Sequence, residues 1–338
     1  MKNNLYRLKL IAALFIIIIF AVNAYAGSTS SEKQSDCEFS DPKFIQPMSK
    51  EWIDKPIKYD KWAEHADLAV ALDQHLYTDF APLIEKYAKE NKLFIKIREG
   101  TCGISGGAFA NKTVDMAGLC CPPANFERLP GLKYNSMGIA AIAIIVHPDN
   151  PIDNITVEQA RGLFSGTIKK WSELKDKNGK NGPDSEVHPI TRLHCKTRPG
   201  HWRLILDNED KFSLNAKEVA TIPDMIRQVS EDKYSVGYET VWSTVRLIKS
   251  GKVKILSING YNPAQGTAEF LKYNYPFYRV YNITSWEGKL EKNAHIKKMI
   301  DYLFINIENI DAKYKILPAK YLREAGWKFN GNELIGSK

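Results

Sequence analysis

Five cysteines carry the most distinctive chemistry of this chain, and four of them fall in three short segments. These are Cys102, the adjacent pair Cys120 and Cys121, and Cys195. Such thiols could pair as structural disulfides, hold a soft metal or metalloid, or act as a redox lock through Cys195. Because five is odd, at least one thiol is free or pairs outside the chain, and Cys37 is the expected one.

A metal site would take its ligands from these four cysteines, with His201 as a nearby imidazole. Thiolates and imidazoles suit copper(I), zinc or a thiophilic species such as arsenite. The chain has no C-x-x-C, H-x-x-x-H or C-x-x-C-H motif, so spacing gives this hypothesis no support of its own. Disulfide formation between Cys102 and Cys120 or Cys121 is the competing interpretation, and the sequence predicts no resident metal or cofactor.

A glycine-rich segment at 100–107 has residue types that suit anion binding. Gly103, Ser105 and Gly106 lie in it, and we interpret the segment as a turn before a helix. Glycine-rich turns and helix N-termini present unpaired backbone N–H groups to a negative charge. A plain tight turn without a ligand is the alternative.

Strand-like and helical patterns alternate through most of the chain, which indicates an α/β protein with mostly parallel sheets. In such sheets ligands bind beyond the carboxyl ends of the strands. The cysteine and glycine segments follow predicted strands and therefore belong at that edge. The pattern predicts strands at 67–72, 93–97, 113–119, 138–146, 187–192 and 275–284, and helices at 79–91, 156–165, 198–206 and 295–307.

The first 26 residues have the pattern of a secretory signal peptide. A basic start precedes an apolar stretch at 10–22 and an Ala-Tyr-Ala segment that ends at Ala26, after which cleavage is expected. Residues 27–65 are then a leader and N-terminal extension. We expect the mature chain to be periplasmic, to have no membrane-spanning segment and to meet an oxidising environment.

Composition narrows the function further. The formal net charge is +8, and it falls to +5 once the first 26 residues are set aside. The basic residues are dispersed, which argues against a nucleic-acid-binding protein. A hydrophobic content of 44% and a charged content of 25% exclude a disordered, collagen-like or polytopic membrane chain. No set of nucleophile, base and orienting group can be assembled from the motifs, so an enzyme is not expected.

Four segments resemble the phosphate-binding protein family that serves ABC phosphate importers. Residues 156–174 (TVEQARGLFSGTIKKWSEL) are similar to that family's helix–turn–Trp segment. Residues 113–121 (TVDMAGLCC), 235–238 (SVGY) and 275–281 (YPFYRVY) resemble three further family segments. All four occur in the family's order, and the resemblance covers about residues 67–322.

The resemblance implies the type II periplasmic binding fold, in which two α/β lobes are joined by two crossing strands, here 138–146 and 276–284. Lobe one would comprise 66–140 plus 281–338, and lobe two 141–280. The implied function is an exported, monomeric solute-binding protein. It would capture a small inorganic oxyanion, phosphate or a relative, in the cleft between the lobes and deliver it to an inner-membrane ABC permease.

The resemblance also implies a set of ligand-binding residues. Arg192 matches the family's anion-binding arginine, and a guanidinium can clamp an oxyanion through two hydrogen bonds. Lys196, Thr197 and Arg198 stand where the family has Ser-Gly-Thr. Asp115 occupies an acidic position that could accept a hydrogen bond from a protonated oxyanion.

The departures from the family pattern keep a second function open. Cys120 and Cys121 replace an expected serine, and the Ser-Gly-Thr is absent. The alternative is a periplasmic sensor that binds a soft metal or metalloid through cleft cysteines and signals to a membrane kinase. On both hypotheses Cys102, Asp115 and Arg192 border one shared crevice.

Overall fold

The computed structural model describes residues 39–266, 269–288, 294–314 and 316–337. The predicted signal peptide at 1–26, its cleavage after Ala26, and Cys37 lie outside the described residues. Within the described ranges, no helix combines the length and apolar content that crossing a bilayer requires.

The first group of elements alternates strand and helix because apolar runs end at capping residues. The buried run Leu68–Asp73 forms β1, and the Asp73 carboxylate accepts the backbone N–H of His75 to start the next helix. Both neighbours of β1 in the sheet, β2 (Ile95–Gly100) and β3 (Met116–Leu119), run parallel to it. The elements are α1 (Lys50–Asp54), β1, α2 (Gln74–Glu90), β2 (Ile95–Gly100), α3 (Cys102–Ala110) and β3 (Met116–Leu119).

Two long strands cross the middle of the molecule. β4 (Leu132–Val146) and β11 (Tyr278–Trp286) pair antiparallel, and β4 is buried from Tyr134 to its end. Gly138 is required in β4, since a Cβ there would lie 2.4 Å from the carbonyl oxygen of Leu317 on the adjoining strand. The crossing strands predicted from the sequence are therefore present.

The second group of elements also begins and ends its helices at capping residues. α4 (Val157–Ser165) begins with a capping box between Thr156 and Gln159 and ends at Gly166, whose φ of 75° suits glycine. The other elements are β5 (Asn154–Ile155), β6 (His188–Thr191), β7 (Lys217–Glu218), α5 (Ile222–Glu231), β8 (Ser235–Thr240), α6 (Val241–Arg246), β9 (Lys254–Ile255), β10 (Ser257–Ile258), α7 (His295–Tyr314), β12 (Ile316–Pro318), α8 (Ala319–Glu324), β13 (Lys328–Asn330) and β14 (Glu333–Gly336).

One mixed sheet of the described residues links both groups, in the order β2-β1-β3-β11-β4-β8-β6-β7, with β12 and β9 also paired to β4. We call β2, β1 and β3 the first half-sheet, and β8, β6 and β7 the second half-sheet. β4 pairs with β11 through Leu132–Ala141 and with β8 through Ile142–Val146. The lobe boundaries near residues 140 and 281 stay a prediction.

Two local predictions were wrong. Residues 100–107, interpreted as a turn, mostly belong to helix α3, because the Thr101 side chain caps it by accepting the backbone N–H of Ile104. The helix predicted at 198–206 is a short 3₁₀ helix, His201–Leu204. Gly200 and His201 have φ values of 77° and 62°, which interrupt a regular helix.

The described part of the N-terminal extension packs against the amino end of β3. The buried Lys112 ammonium donates to the carbonyl oxygens of Ile53 and Lys55 and lies 4.2 Å from the Trp52 ring centroid. This part of the extension is therefore held to the face of the molecule that lies away from the carboxyl ends of the strands, whereas Ser40 nearer its start donates to the Pro123 carbonyl just beyond Cys121.

Candidate functional site

The carboxyl ends of the first half-sheet bring three chemically distinctive residues together. Asp73 ends β1, Cys102 begins α3 just after β2, and Cys120 directly follows β3. These strands are parallel neighbours, so their carboxyl ends share one edge. The Cys102 thiol donates to the Asp73 carboxylate at 3.4 Å.

The sequence-distant cysteines form one group, which we call the thiol cluster: Cys102, Cys120, Cys121 and Cys195. The sulfur atoms of Cys102 and Cys120 are 3.1 Å apart, and those of Cys120 and Cys121 are 4.0 Å apart. The sulfurs of Cys102, Cys121 and Cys195 all lie within 4.8 Å of one another. The four are free thiols in the structure, so the disulfide of Cys102 with Cys120 or Cys121 is not formed here.

The second half-sheet and a crossing strand add a buried charge centre, which we define as Arg192, Glu239 and Arg279. Arg192 follows β6 and donates to the Glu239 carboxylate at 2.7 Å. Arg279 of β11 lies 3.8 Å from the same carboxylate and donates to the Cys120 sulfur at 3.2 Å. The side chains of Glu239 and Arg279 are fully buried, so Arg279 links the charge centre to the thiol cluster.

Arg198 closes the cluster from the loop that carries Cys195. Its guanidinium pairs with the buried Glu127 carboxylate, donates to the Cys102 carbonyl at 3.2 Å and lies 3.6 Å from the Cys195 sulfur. Gly106 leaves room for this pair, because a Cβ there would lie 3.0 Å from a Glu127 oxygen. Arg198 thus bridges α3 and the Cys195 loop.

Three histidines surround the charge centre. Burial, then the positive charge of Arg279, lowers the pKa values of His75 and His201 far below normal. Burial and the neighbouring Arg192 lower the pKa of His194 to about 4. All three imidazoles are therefore neutral near pH 7 and add no positive charge to the site.

The thiol cluster concentrates negative charge on Cys195. Hydrogen bonding with Cys120 and Cys121 raises the pKa of Cys102, and burial raises the pKa of Cys120. Hydrogen bonding from the thiols of Cys102, Cys120 and Cys121 holds the pKa of Cys195 far below its usual value. We therefore expect a thiolate on Cys195 beside protonated thiols on Cys102 and Cys120.

In the reduced, metal-free protein, iodoacetamide is expected to modify Cys195 before the buried members of the thiol cluster. The rate of Cys195 modification should stay constant from pH 9 to pH 6, because only the thiolate reacts. Free glutathione is the reference thiol, and its modification rate falls about tenfold per pH unit below the pKa of glutathione. Peptide mass spectrometry at timed intervals measures both rates. First modification at Cys102, or a Cys195 rate that titrates as glutathione does, would contradict the assigned thiolate.

Six predicted site residues meet in this region: Cys102, Cys120, Cys121, Arg192, Cys195 and Arg198. Asp115 does not join them. It precedes β3, and its backbone N–H bonds to Ala69 near the start of β1, at the opposite end of the strands. Its carboxylate accepts from the Tyr59 hydroxyl and the Ala69 N–H. The expectation that Asp115 borders the same crevice as Cys102 and Arg192 was wrong, since the four residues of β3 separate it from Cys120.

Lys196, Thr197 and His201 also lie outside the thiol cluster. The Cys195 backbone has a φ of 59°, and the two side chains that follow are exposed. The Lys196 ammonium pairs with Glu209 at 3.0 Å. His201 is buried, and its ring centroid lies 4.9 Å from that of His194, but its nitrogens do not belong to either group of close metal-ligating atoms.

The glycine-rich segment, predicted to be an anion-binding turn, is mostly helical. Gly103, Ser105 and Gly106 lie on α3, where the Ser105 N–H already bonds to the Thr101 carbonyl. The Ser105 hydroxyl is buried and has no hydrogen-bond partner among the described residues. The segment therefore does not form the expected turn of free N–H donors.

Three buried charged residues of the site were missed from the sequence: Glu127, Glu239 and Arg279. Arg279 and Glu239 had a usable signal, because each is a charged residue within a segment that reads as a buried strand. A charge inside such a strand needs a partner of opposite sign. Glu127 lies in a short 3₁₀ helix, Asn125–Glu127, and its residue pattern carries no comparable signal.

A family model described as a PBP superfamily domain matches residues 63–306. Phosphate-binding protein PstS of Staphylococcus saprophyticus is 27% identical over 166 residues, which are 46% of this chain and 50% of that protein. Phosphate-binding protein PstS of Pseudomonas aeruginosa is 24% identical over 200 residues, 54% of this chain and 58% of that protein. The chain thus spans about half the length of the curated relatives it matches.

Solved structures share the fold at low sequence identity. An ABC-type phosphate transport receptor from Vibrio cholerae has a TM-score of 0.59 and 19% identity, covering 74% of this chain and 99% of its own. A protein of Clostridium perfringens, described as a phosphate ABC transporter substrate-binding protein with bound phosphate, has a TM-score of 0.61 and 17% identity, covering 74% and 98%. The type II periplasmic binding fold and the family resemblance predicted from the sequence are confirmed, and this chain belongs to the PBP superfamily.

Proposed function

We propose that this chain is an exported solute receptor that captures a small inorganic ligand between its two predicted lobes and delivers it to an inner-membrane ABC importer. One observation carries the proposal. Residues at the carboxyl ends of both half-sheets, Cys102 and Cys120 from the first and Arg192 and Glu239 from the second, converge with Arg279 on one buried polar region. Ligands of open α/β sheets bind at this edge.

Unpartnered polar atoms in the same region support a ligand. Arg192 Nε, Arg279 Nε and both ring nitrogens of His75 and His201 are buried and have no hydrogen-bond partner among the described residues. Buried polar groups nearly always have a partner in folded proteins. A bound solute with its water would supply such partners.

Phosphate is the oxyanion that the relatives' names suggest, and Arg192 and Arg198 supply guanidinium groups for it. The proposed receptor acts as a monomer, performs no catalysis and binds no nucleic acid. Its export would depend on the signal pattern at residues 1–26.

The second candidate function, a periplasmic sensor that signals to a membrane kinase, is favoured by the thiol cluster. A receptor and a sensor would bind the ligand in the same way. They would differ in the membrane protein that the ligand-loaded chain then binds. Crosslinking the ligand-loaded chain in its own cells distinguishes them, because a permease is expected from the receptor and a kinase from the sensor.

Native mass spectrometry of the chain purified from its own periplasm tests the proposed function. We expect an added mass that corresponds to one small inorganic solute, together with a higher melting temperature than the stripped protein. If no added mass is found, and neither phosphate nor a soft metal ion raises the melting temperature, the chain is not a receptor of this kind.

A further inference from the structure

We propose that the site binds a soft, thiophilic cation of the copper(I) class through Cys102, Cys121 and Cys195, with Cys120 beside them. This inference rests on the proposed receptor function and names its ligand class. The site draws on three separate loops, which follow β2, β3 and β6.

The sulfur positions fit one ion. Thiolates bound to a single soft ion at a metal–sulfur distance of about 2.3 Å lie about 4 Å from one another. The sulfurs of Cys102, Cys121 and Cys195 are within 4.8 Å of one another, so small side-chain rotations complete the geometry. Phosphate binds through N–H and hydroxyl donors rather than thiols, so these three sulfurs do not form a phosphate site.

The donor set favours three-coordinate binding. Cys120 belongs to a second close group, with Asp73 and Cys102, and its sulfur already accepts from Arg279. Structural zinc sites require four ligands, whereas thiolate ligands in general select soft ions such as copper(I). A site of three sulfurs therefore favours copper(I) over zinc.

Positively charged arginines near the thiol cluster can balance the negative charge of thiolates that hold a cation. Arg192 and Arg198 are already paired with Glu239 and Glu127. Arg279 faces Cys120, and Arg198 faces Cys195, so these guanidinium groups can balance thiolates formed on binding. Phosphate would instead compete for Arg192 and Arg198 with the carboxylates that already pair with them.

Burial keeps the site dry. Cys102, Cys120 and Cys121 are 2%, 0% and 1% exposed, while Cys195 is partly exposed and lies on the loop that reaches solvent. Cys195 is therefore the ligand that an entering ion reaches first. Binding forms three copper–sulfur bonds, releases to water the protons that the three thiols carry, and transfers no electrons.

An anaerobic titration of the full mature chain tests this inference, with copper(I) supplied from a chromophoric chelator that competes for it. We expect one copper(I) per chain and thiolate-to-copper absorption in the ultraviolet. Cys195→Ser and Cys121→Ser should weaken binding by at least about 100-fold. Cys37→Ser is the matched thiol control and should leave the affinity unchanged. Circular dichroism verifies that each variant is folded. Cys195→Ser is expected to fold because Cys195 is partly exposed.

The outcomes separate the two proposals. Unchanged copper(I) affinity in folded Cys195→Ser, loss of affinity in Cys37→Ser, or saturable phosphate binding without copper(I) binding would each overturn the inference. In the last case the receptor function would stand. Absence of binding by copper(I), zinc and phosphate alike would remove the receptor function as well.

Discussion

Replacing Glu239 with glutamine is expected to lower the free energy of unfolding by about 3–5 kcal/mol, because it leaves two buried guanidinium groups without their carboxylate. Burial alone would raise the pKa of Glu239, but Arg192 and Arg279 hold it below its ordinary value, so the group is charged. Arg192 donates to the Glu239 carboxylate at 2.7 Å, and the Glu239 side chain is fully buried. Urea denaturation monitored by circular dichroism measures the loss.

The matched control is Glu231→Gln, which removes the carboxylate of an exposed pair with Arg227. Exposed pairs contribute about 0–1 kcal/mol, so this variant should unfold almost as the wild type does. Equal losses in the two variants would show that the buried charge centre contributes no more than a surface pair, which contradicts the assigned geometry.

Acid is expected to destabilise the protein steeply between about pH 6.5 and pH 4. The pKa values of His75, His194 and His201 are lower in the folded state than the unfolded value of about 6.5. The unfolded chain therefore binds more protons in this window, and stability falls as the pH falls. With three protons taken up, the slope reaches at most about 4 kcal/mol per pH unit. Urea midpoints measured across the window give this slope.

Removing a buried histidine should flatten the pH dependence. His194→Asn is expected to reduce the slope by roughly one third. His188→Asn is the control, because His188 is about half exposed and pairs with Asp232 at the surface. A slope that responds equally to both substitutions, or that does not respond to His194→Asn, would contradict the assignment of the acid sensitivity to the buried imidazoles.

The order of elements could be predicted because local patterns determine it. The strand predicted at 67–72 and the helix predicted at 156–165 agree with β1 and α4 to within one residue at each end, whereas β4 begins six residues before its predicted start at 138. The loops were harder to predict. Thr101 caps a helix within a glycine-rich segment. The left-handed backbone at Cys195 turns Lys196 outward. Neither feature follows from residue pattern alone.

Several site residues were predictable because they follow a strand, whereas Glu239 and Arg279, which lie inside strands, were missed. Cys102, Cys120 and Arg192 follow strands and lie at the expected edge. Arg279 depends on the register of β11, in which it lies opposite Ala140, and pairing register across the chain is a tertiary property. Asp115 failed for a different reason, since it lies near the start of the strand predicted at 113–119 and therefore at the amino end of β3, away from the expected edge.

The continuity of β4 has a practical consequence for dissecting the molecule. Its residues Leu132–Ala141 pair with β11, and Ile142–Val146 pair with β8, all within one unbroken strand. A fragment ending at residue 140 would expose a severed strand with unpaired backbone groups, which favours aggregation. Separate expression of the two halves is therefore a poor route to either, and spectroscopic labels that test for the proposed closure of the lobes are better placed on the intact chain.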